Sequence, residues 1–196
     1  MKRLFIIGMT ISLLLGACSS KLPIETNMSN TVKDFSFTTQ DEEDLSLEDL
    51  KGEWWIADFV FTNCVTVCLP MTSNMSSLQD SLKENDIEIQ FVSFSVDPDY
   101  DTPEVLREYA DEYNADLSNW SFLTGYDFDT IKEVSVKSFK APILEAKSGS
   151  DQVTHDTRFF LVNPEGKIVK GYDGVNSESM KDIIKDLKAL DSDELL

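Results

Sequence analysis

The sequence predicts an α/β fold with a central sheet, flanking helices, and a C-terminal hairpin followed by a last helix. Strand-like and helix-like hydrophobic patterns alternate along most of the 196 residues. The segment "WWIADFVF" (Trp54–Phe61) is almost entirely apolar, which is typical of a central strand buried on both faces. Near the C-terminus, "NPEG" (Asn163–Gly166) separates two strand-like runs and predicts the turn of a hairpin.

The elements before the middle of the chain follow from local spacing. Phe35 and Phe37 alternate in "DFSFTT", which predicts a strand before an acidic turn. After the central strand, four apolar residues recur at spacings of four, three and four, and they predict one buried face of a helix: Met71, Met75, Leu78 and Leu82. This helical spacing favours core packing of the methionines over the alternative of thioether metal ligands. The run Ile87–Val96 predicts a second strand.

The remaining elements complete the alternation. Thr102 and Pro103 predict the N-cap and first residue of a helix, and Trp120–Gly125 predicts a short strand. A helix over Asp127–Phe139, the hairpin and an amphipathic helix over Ser177–Leu190 follow. Strand–helix–strand units imply right-handed crossovers and a parallel core. A hairpin and a helix after such a unit are the thioredoxin arrangement, so we predict a thioredoxin-like fold.

The composition limits the classes of function. The chain carries 17 basic and 36 acidic residues, a net charge of −19. Such a surface repels the phosphates of nucleic acids and favours cations and basic partners. We therefore expect no nucleic acid to bind this protein.

The N-terminus has the pattern of an export signal. Lys2 and Arg3 precede an apolar stretch that is short for a membrane span, and "LGAC" (Leu15–Cys18) resembles the bacterial lipobox. This predicts cleavage before Cys18 and lipid attachment to its sulfur, with an uncleaved anchor as the alternative. We expect a signal peptide (1–17), a lipidated tether (18–33) and one α/β domain (34–196) outside the cytoplasm.

The two other cysteines, Cys64 and Cys68, follow the predicted central strand and precede the next helix. The carboxyl end of a parallel strand is where α/β sheets place their sites. If one helix included both residues, they would lie about one turn apart, within reach of a disulfide or of one soft metal ion. Pro70 argues for a break or kink just after Cys68. From these residues alone, a thiol–disulfide switch, a metal site and a structural pair all stay open.

His155 is the one histidine of the chain, and it precedes the predicted strand Arg158–Val162. In the predicted fold this loop faces the cysteine pair, although a lone histidine is more often a polar surface or capping residue. Two thiolates and one imidazole suit copper, and they suit zinc with water as a fourth ligand. Asp97, just past the second strand, either orients His155 or a bound water, or only organises a turn together with Asp101.

Three segments together resemble the Sco/SenC family of copper-binding proteins. They are "TNCVTVCLP" (Thr62–Pro70), "SVDPDYDTPEVL" (Ser95–Leu106) and "THDTRFFLVNPEG" (Thr154–Gly166). The resemblance runs from about Asp34 to Leu190, and the three blocks in this order are highly specific. Two departures are Leu69, which stands between the second cysteine and Pro70, and Thr154, where the family often has aspartate. Neither removes a ligand.

The resemblance implies a membrane-attached, thioredoxin-like domain that binds copper as Cu(I) or Cu(II). It implies a role in assembling the binuclear copper centre in subunit II of cytochrome c oxidase, with Cys64, Cys68 and His155 as copper ligands and Asp97 as a neighbour of the site. That subunit is the expected partner, with other copper chaperones or thiol–disulfide oxidoreductases. We expect a metallochaperone rather than an enzyme, lipid-anchored on the extracytoplasmic side of the cell membrane.

Two other functions compete with this interpretation. A thiol–disulfide reductase would use Cys64 and Cys68 without metal to keep the oxidase cysteines reduced, and a copper-responsive redox sensor would signal to a partner. His155 discriminates best, because a reductase needs only the two cysteines. A peroxidase is excluded, since Phe61 and Val65 stand three residues before the two cysteines, where this chemistry requires threonine or serine.

Overall fold

The computed structural model describes residues 22–64, 68–146, 149–150 and 152–196. The strands within them are β1 (Asn30–Thr31), β2 (Ser36–Thr39), β3 (Asp44–Ser46), β4 (Trp55–Val60), β5 (Gln90–Ser95), β6 (Trp120–Thr124), β7 (Arg158–Val162) and β8 (Lys167–Asp173). The helices are α1 (Cys68–Lys83), α2 (Pro103–Glu112), α3 (Phe128–Val134) and α4 (Ser179–Ser192), and a π-helical turn (Ser135–Phe139) continues α3.

The strands form one mixed sheet in the order β1-β8-β7-β4-β5-β6-β2-β3. Strands β4, β5 and β6 are parallel, as the strand–helix alternation predicts. The hairpin β7–β8 joins the other side of β4, because β7 pairs with β4 in the antiparallel direction. The α/β fold with a central sheet and a C-terminal hairpin plus helix is therefore confirmed.

The central strand β4 separates two hydrophobic cores, and all six of its residues are buried. Ile56 and Val60 face the core beneath α1, α2 and α4, whereas Trp55 and Phe59 face the core beneath α3 and the π-helical turn. Alternate residues of a strand point to opposite faces of its sheet, so β4 packs on both sides. The apolar run in the sequence correctly predicts this double burial.

Helix α1 buries the face that its spacing predicts. The side chains of Met71, Met75, Leu78 and Leu82 are buried and pack in the first core. The break expected just after Cys68 is wrong, because α1 continues from Cys68 through Pro70 to Lys83.

Part of the expected tether packs on the domain. Ile24 and Val32 are buried in the two cores, and Asn30–Thr31 pairs with β8. The ordered domain therefore begins well before residue 34, since two apolar side chains and a strand pairing hold this segment. The predicted signal peptide (1–17) and Cys18 lie outside the described residues. No helix found within the described ranges has the length and hydropathy that a membrane span requires.

Replacing Met75 tests whether this residue serves only to fill the core. We expect Met75→Ala to lower the free energy of unfolding by about 2–5 kcal/mol, because it leaves a cavity in a close-packed region. Met75→Leu conserves volume and should cost less than about 1.5 kcal/mol. Chemical denaturation of both variants measures the difference, and equal losses in the two would contradict a packing role.

Candidate metal centre

The candidate site lies at the sheet edge where β4 ends and β7 begins. Because the two strands are antiparallel, with Ala57 opposite Phe160, the loop before β7 comes to the same end of the sheet as the loop after β4. The aromatic rings of Phe61 and His155 meet edge to face, with 5.8 Å between their centroids. The structure thus brings the histidine loop to the end of the central strand, as the sequence predicts.

His155 is held in one orientation by its own loop. The side chain is 9% exposed, and Nδ1 lies 2.8 Å from the main-chain oxygen of Asp156. A carbonyl oxygen can only accept a hydrogen bond, so Nδ1 carries the proton and donates it. This tautomer leaves the lone pair on Nε2, the nitrogen through which a neutral imidazole can bind a metal ion.

The residue that orients His155 is itself fixed by Arg158. The Asp156 carboxylate accepts hydrogen bonds from Arg158 Nε at 2.8 Å and from its Nη2 at 2.7 Å. The main-chain N–H of Arg158 donates to the same carboxylate at 2.9 Å. Paired guanidinium–carboxylate bonds of this kind are among the strongest and most directional in proteins. They stabilise the backbone turn that carries His155 into β7.

Cys64 lies in the loop after β4 and not in a helix. Its side chain is 5% exposed and packs in the core that contains Phe59 and Phe61. The preceding residue, Asn63, accepts a hydrogen bond at its main-chain oxygen from Gln152 Nε2 at 2.9 Å. Since Gln152 stands three residues before His155, this bond ties the cysteine loop to the histidine loop.

Cys68 is the first residue of α1, and its side chain lies outside what the structure describes. The described helix α1 does not include both cysteines, because the backbone of Cys64 is not helical. The first turn of a helix has a partial positive charge that favours a thiolate. Among the described side chains, no three of His, Cys, Asp and Glu form a cluster that could hold a metal ion. The donor set of Cys64, Cys68 and His155 still has the soft sulfur and borderline nitrogen chemistry that copper prefers.

Asp97 lies at the carboxyl edge of β5, half-buried, in the loop that leads to α2. Its main-chain N–H donates to Ser95 Oγ at 3.1 Å, and its main-chain oxygen accepts from the N–H of Asp101 at 2.9 Å. The main chain of Asp97 therefore organises the turn before the Thr102 N-cap of α2, which the sequence predicts. A role of its side chain beside His155 stays a prediction.

Asp58 is a buried carboxylate of β4 to which the sequence analysis assigned no role. Ser93 Oγ donates to Oδ1 at 2.6 Å, while Oδ2 has no hydrogen-bond partner among the described residues. Burial raises the pKa of Asp58 from about 3.8 to about 6, and the Ser93 hydrogen bond and the nearby charge of His155 oppose this rise. The signal was visible in the sequence, because Asp58 alone interrupts the apolar run Trp54–Phe61.

The sequence of this chain matches a known protein family. The sequence model of the SCO1/SenC family matches residues 24–191. The SCO1 protein homolog of Bacillus subtilis (strain 168) is 46% identical over 179 residues, which are 91% of this chain and 92% of the relative. The match begins at Ile24, the first residue that the structure buries in the domain core.

Solved structures of similar chains share the fold. A SCO1/SenC family lipoprotein from Bacillus anthracis str. Ames is 44% identical, with a TM-score of 0.79 over 82% of this chain and 95% of that one. BsSco, a member of the Sco family of cytochrome c oxidase assembly proteins in which a disulfide switch was identified, is 46% identical, with a TM-score of 0.77 over 85% and 96%. ScoI of Arabidopsis thaliana, solved with copper bound, is 27% identical, with a TM-score of 0.69 over 83% and 99%.

The raised pKa of Asp58 predicts the direction in which the free energy of unfolding changes with pH. Between pH 4 and 6 the folded chain keeps the Asp58 proton that the unfolded chain has lost, so stability falls as the pH rises. A rise from 3.8 to about 6 corresponds to a loss of about 3 kcal/mol above pH 6. We expect Asp58→Asn to be more stable than wild type at pH 7.5, by up to that amount, with the difference shrinking towards pH 4.

Chemical denaturation at pH 4.5, 6 and 7.5 measures this difference. Asp80→Asn removes one negative charge at an exposed position of α1 and serves as the matched control. Curves of stability against pH that run parallel for wild type and Asp58→Asn would contradict the prediction.

Proposed function

The chain belongs to the SCO1/SenC family, and we propose that it binds copper as cargo through Cys64, Cys68 and His155. The copper would serve the binuclear copper centre in subunit II of cytochrome c oxidase. Copper-bound ScoI of Arabidopsis and the description of BsSco as an oxidase assembly protein support this assignment. The proposed partners are subunit II and, at other steps, copper chaperones or thiol–disulfide oxidoreductases.

The observation that carries the proposal is the direct tie between the two loops of the site. Cys64 and His155 are 91 positions apart in sequence, and the Gln152–Asn63 hydrogen bond and the Phe61–His155 ring contact hold their loops together. Thiol–disulfide exchange requires only the two cysteines, whereas a three-ligand copper site requires the imidazole as well. Two thiolates with one imidazole nitrogen form a donor set for either Cu(I) or Cu(II).

Export and lipid anchoring form part of the same proposal. The apolar segment 1–17 would direct export, and Cys18 would carry the lipid that holds the domain on the extracytoplasmic face of the cell membrane. The similar protein from Bacillus anthracis is described as a lipoprotein, which supports this. Since the ordered domain begins near Ile24, the tether between lipid and domain would be shorter than residues 18–33.

A second candidate function is thiol–disulfide exchange with the cysteines of the target. The disulfide switch identified in BsSco favours it, because it concerns a chain 46% identical to this one. The two functions make different demands on His155, since only copper binding needs its imidazole. Both need Cys64 and Cys68 in the reduced state to begin, because thiolates are the copper ligands and also the reducing groups.

Copper titration of the reduced chain, wild type and His155→Ala, tests the ligand set. We expect wild type to bind one copper ion with a thiolate-to-Cu(II) absorption band. His155→Ala should bind more weakly by a factor of about 10–100 or more, because one of three ligands is lost. Competition with a chelator and visible absorption measure affinity and band together.

The matched control is the rate at which the reduced chain reduces a disulfide substrate, which His155→Ala should leave unchanged. Oxidation of Cys64 and Cys68 to a disulfide should abolish copper binding in both proteins, because it removes two thiolates. An unchanged copper affinity in His155→Ala would overturn the three-ligand site and leave thiol–disulfide exchange as the function.

The lipid anchor is tested by Cys18→Ser in cells. Serine offers no sulfur for lipid attachment, so we expect mass spectrometry to find a lipid-modified N-terminus at Cys18 in wild type and none in Cys18→Ser. His155→Ala, which does not touch the anchor, should carry the same lipid as wild type. A wild-type chain that keeps residues 1–17 and carries no lipid would indicate an uncleaved anchor instead.

A further inference from the structure

Asp101 is a fully buried carboxylate whose two oxygens both accept hydrogen bonds. Thr62 donates to Oδ1 twice, from its hydroxyl at 2.6 Å and from its main-chain N–H at 3.2 Å. Ser95 Oγ donates to Oδ2 at 2.5 Å. A buried carboxylate is strongly unfavourable unless it is hydrogen-bonded, and here the protein supplies the donors itself.

The partners of Asp101 stand at the ends of three neighbouring strands. Thr62 follows β4, and Ser95 is the last residue of β5. The main-chain oxygen of Asp101 accepts a hydrogen bond at 2.7 Å from the hydroxyl of Thr124, the last residue of β6. One residue therefore ties together the carboxyl ends of the three parallel strands, at the edge where Cys64 and His155 lie.

Asp101 is connected to the candidate metal centre through its hydrogen bonds with Thr62. This residue stands two positions before Cys64 and directly after Phe61, whose ring contacts that of His155. The cysteine loop is held from two sides here: Thr62 is bound by Asp101, and the oxygen of Asn63 is bound by Gln152 from the histidine loop. Loss of the first bond would remove one of these two attachments.

A buried carboxylate at this position has a desolvation cost that a neutral side chain would avoid. Burial raises the pKa of Asp101, and the neighbouring carboxylate of Asp97 raises it further, whereas the hydrogen bonds from Ser95 and Thr62 lower it. A carboxylate accepts hydrogen bonds at both oxygens from all three donors, whereas an asparagine has one oxygen and would have to donate to one of the two hydroxyls. The carboxylate therefore matches the donors that Thr62 and Ser95 present.

We propose that Asp101 is a positioning residue of the metal site, which acts through Thr62 to hold Cys64 at its place beside His155. This rests on the proposed function, in which Cys64 and His155 are copper ligands. Residues that orient metal ligands typically contribute about 10–100-fold in metal affinity. Asp101 itself contributes no ligand.

The test compares Thr62→Val with Thr62→Ser in the full-length chain, reduced and held in detergent. Valine has the shape of threonine without the hydroxyl, whereas serine keeps the hydroxyl that Asp101 accepts. We expect Thr62→Val to weaken copper binding by about 10–100-fold and to shift the thiolate-to-copper absorption band. Thr62→Ser should bind within about threefold of wild type, since it restores the contact.

A double-mutant cycle shows whether Asp101 acts through Thr62. Asp101→Asn should weaken copper binding in the wild-type background and have little further effect in Thr62→Val, because coupled residues are not additive. Tyr172→Phe removes another hydroxyl bond, of 2.7 Å to Asp186 between β8 and α4, and should leave copper affinity unchanged. Circular dichroism and thermal melts show that each variant is folded.

The outcomes separate the two proposals. Three outcomes would overturn the role of Asp101 while the copper site stands. They are additive losses of copper affinity in Asp101→Asn and Thr62→Val, equal losses in Thr62→Ser and Thr62→Val, or an unchanged affinity and absorption band in Thr62→Val. If reduced wild type bound no copper, the proposed function would fail and the role of Asp101 would fail with it. Loss in Thr62→Val, rescue in Thr62→Ser and non-additivity with Asp101→Asn together would establish the role.

Discussion

The antiparallel pairing of β7 with β4 is the contact on which the candidate site depends. β4 is buried on both faces, so its carboxyl end is fixed between two hydrophobic cores. β7 runs the other way along the same strand, so the loop before β7 must meet the loop after β4. This pairing delivers His155 to Cys64 across 91 positions of sequence. Its hydrogen bonds need no metal ion, so the two loops meet before any ligand is bound.

Three sets of hydrogen bonds then fix the loops at this end of the sheet. Asp156 and Arg158 fix the turn that carries His155, Gln152 connects the two loops, and Asp101 binds Thr62 from the side of β5. Each replaces solvent at a polar group that folding has buried, and each stabilises one segment of the site. The chain carries a net charge of −19, yet the carboxylates of Asp101 and Asp156 at this end of the sheet are paired with specific donors. Asp58 differs, since one of its oxygens has no hydrogen-bond partner among the described residues.

The order of strands and helices could be predicted because it follows from local patterns. Each local pattern predicted its element correctly: the apolar run predicted the buried strand β4, the four-residue spacing of Met71 and Met75 predicted a helix, and Thr102–Pro103 predicted the start of α2. The break expected at Pro70 was wrong, since α1 continues through this residue and the next one, Met71, is buried in the first core. The packing of part of the expected tether could not be predicted either. Ile24 and Val32 are isolated apolar residues in a polar segment, and only the completed cores show that there is room for them.

The sequence by itself determined the fold class, the family and the identity of the three candidate ligands, because these depend on residue types and their spacing. Cys64, Cys68 and His155 could be named as candidate ligands without coordinates, because the resemblance to the family rests on the motifs that contain them. Only the tertiary structure decided how Cys64 and His155 are held. The contacts Gln152–Asn63 and Asp101–Thr62 join residues 89 and 39 positions apart. No local pattern encodes such a distance, because it exists only once the sheet has brought the strand ends to one edge.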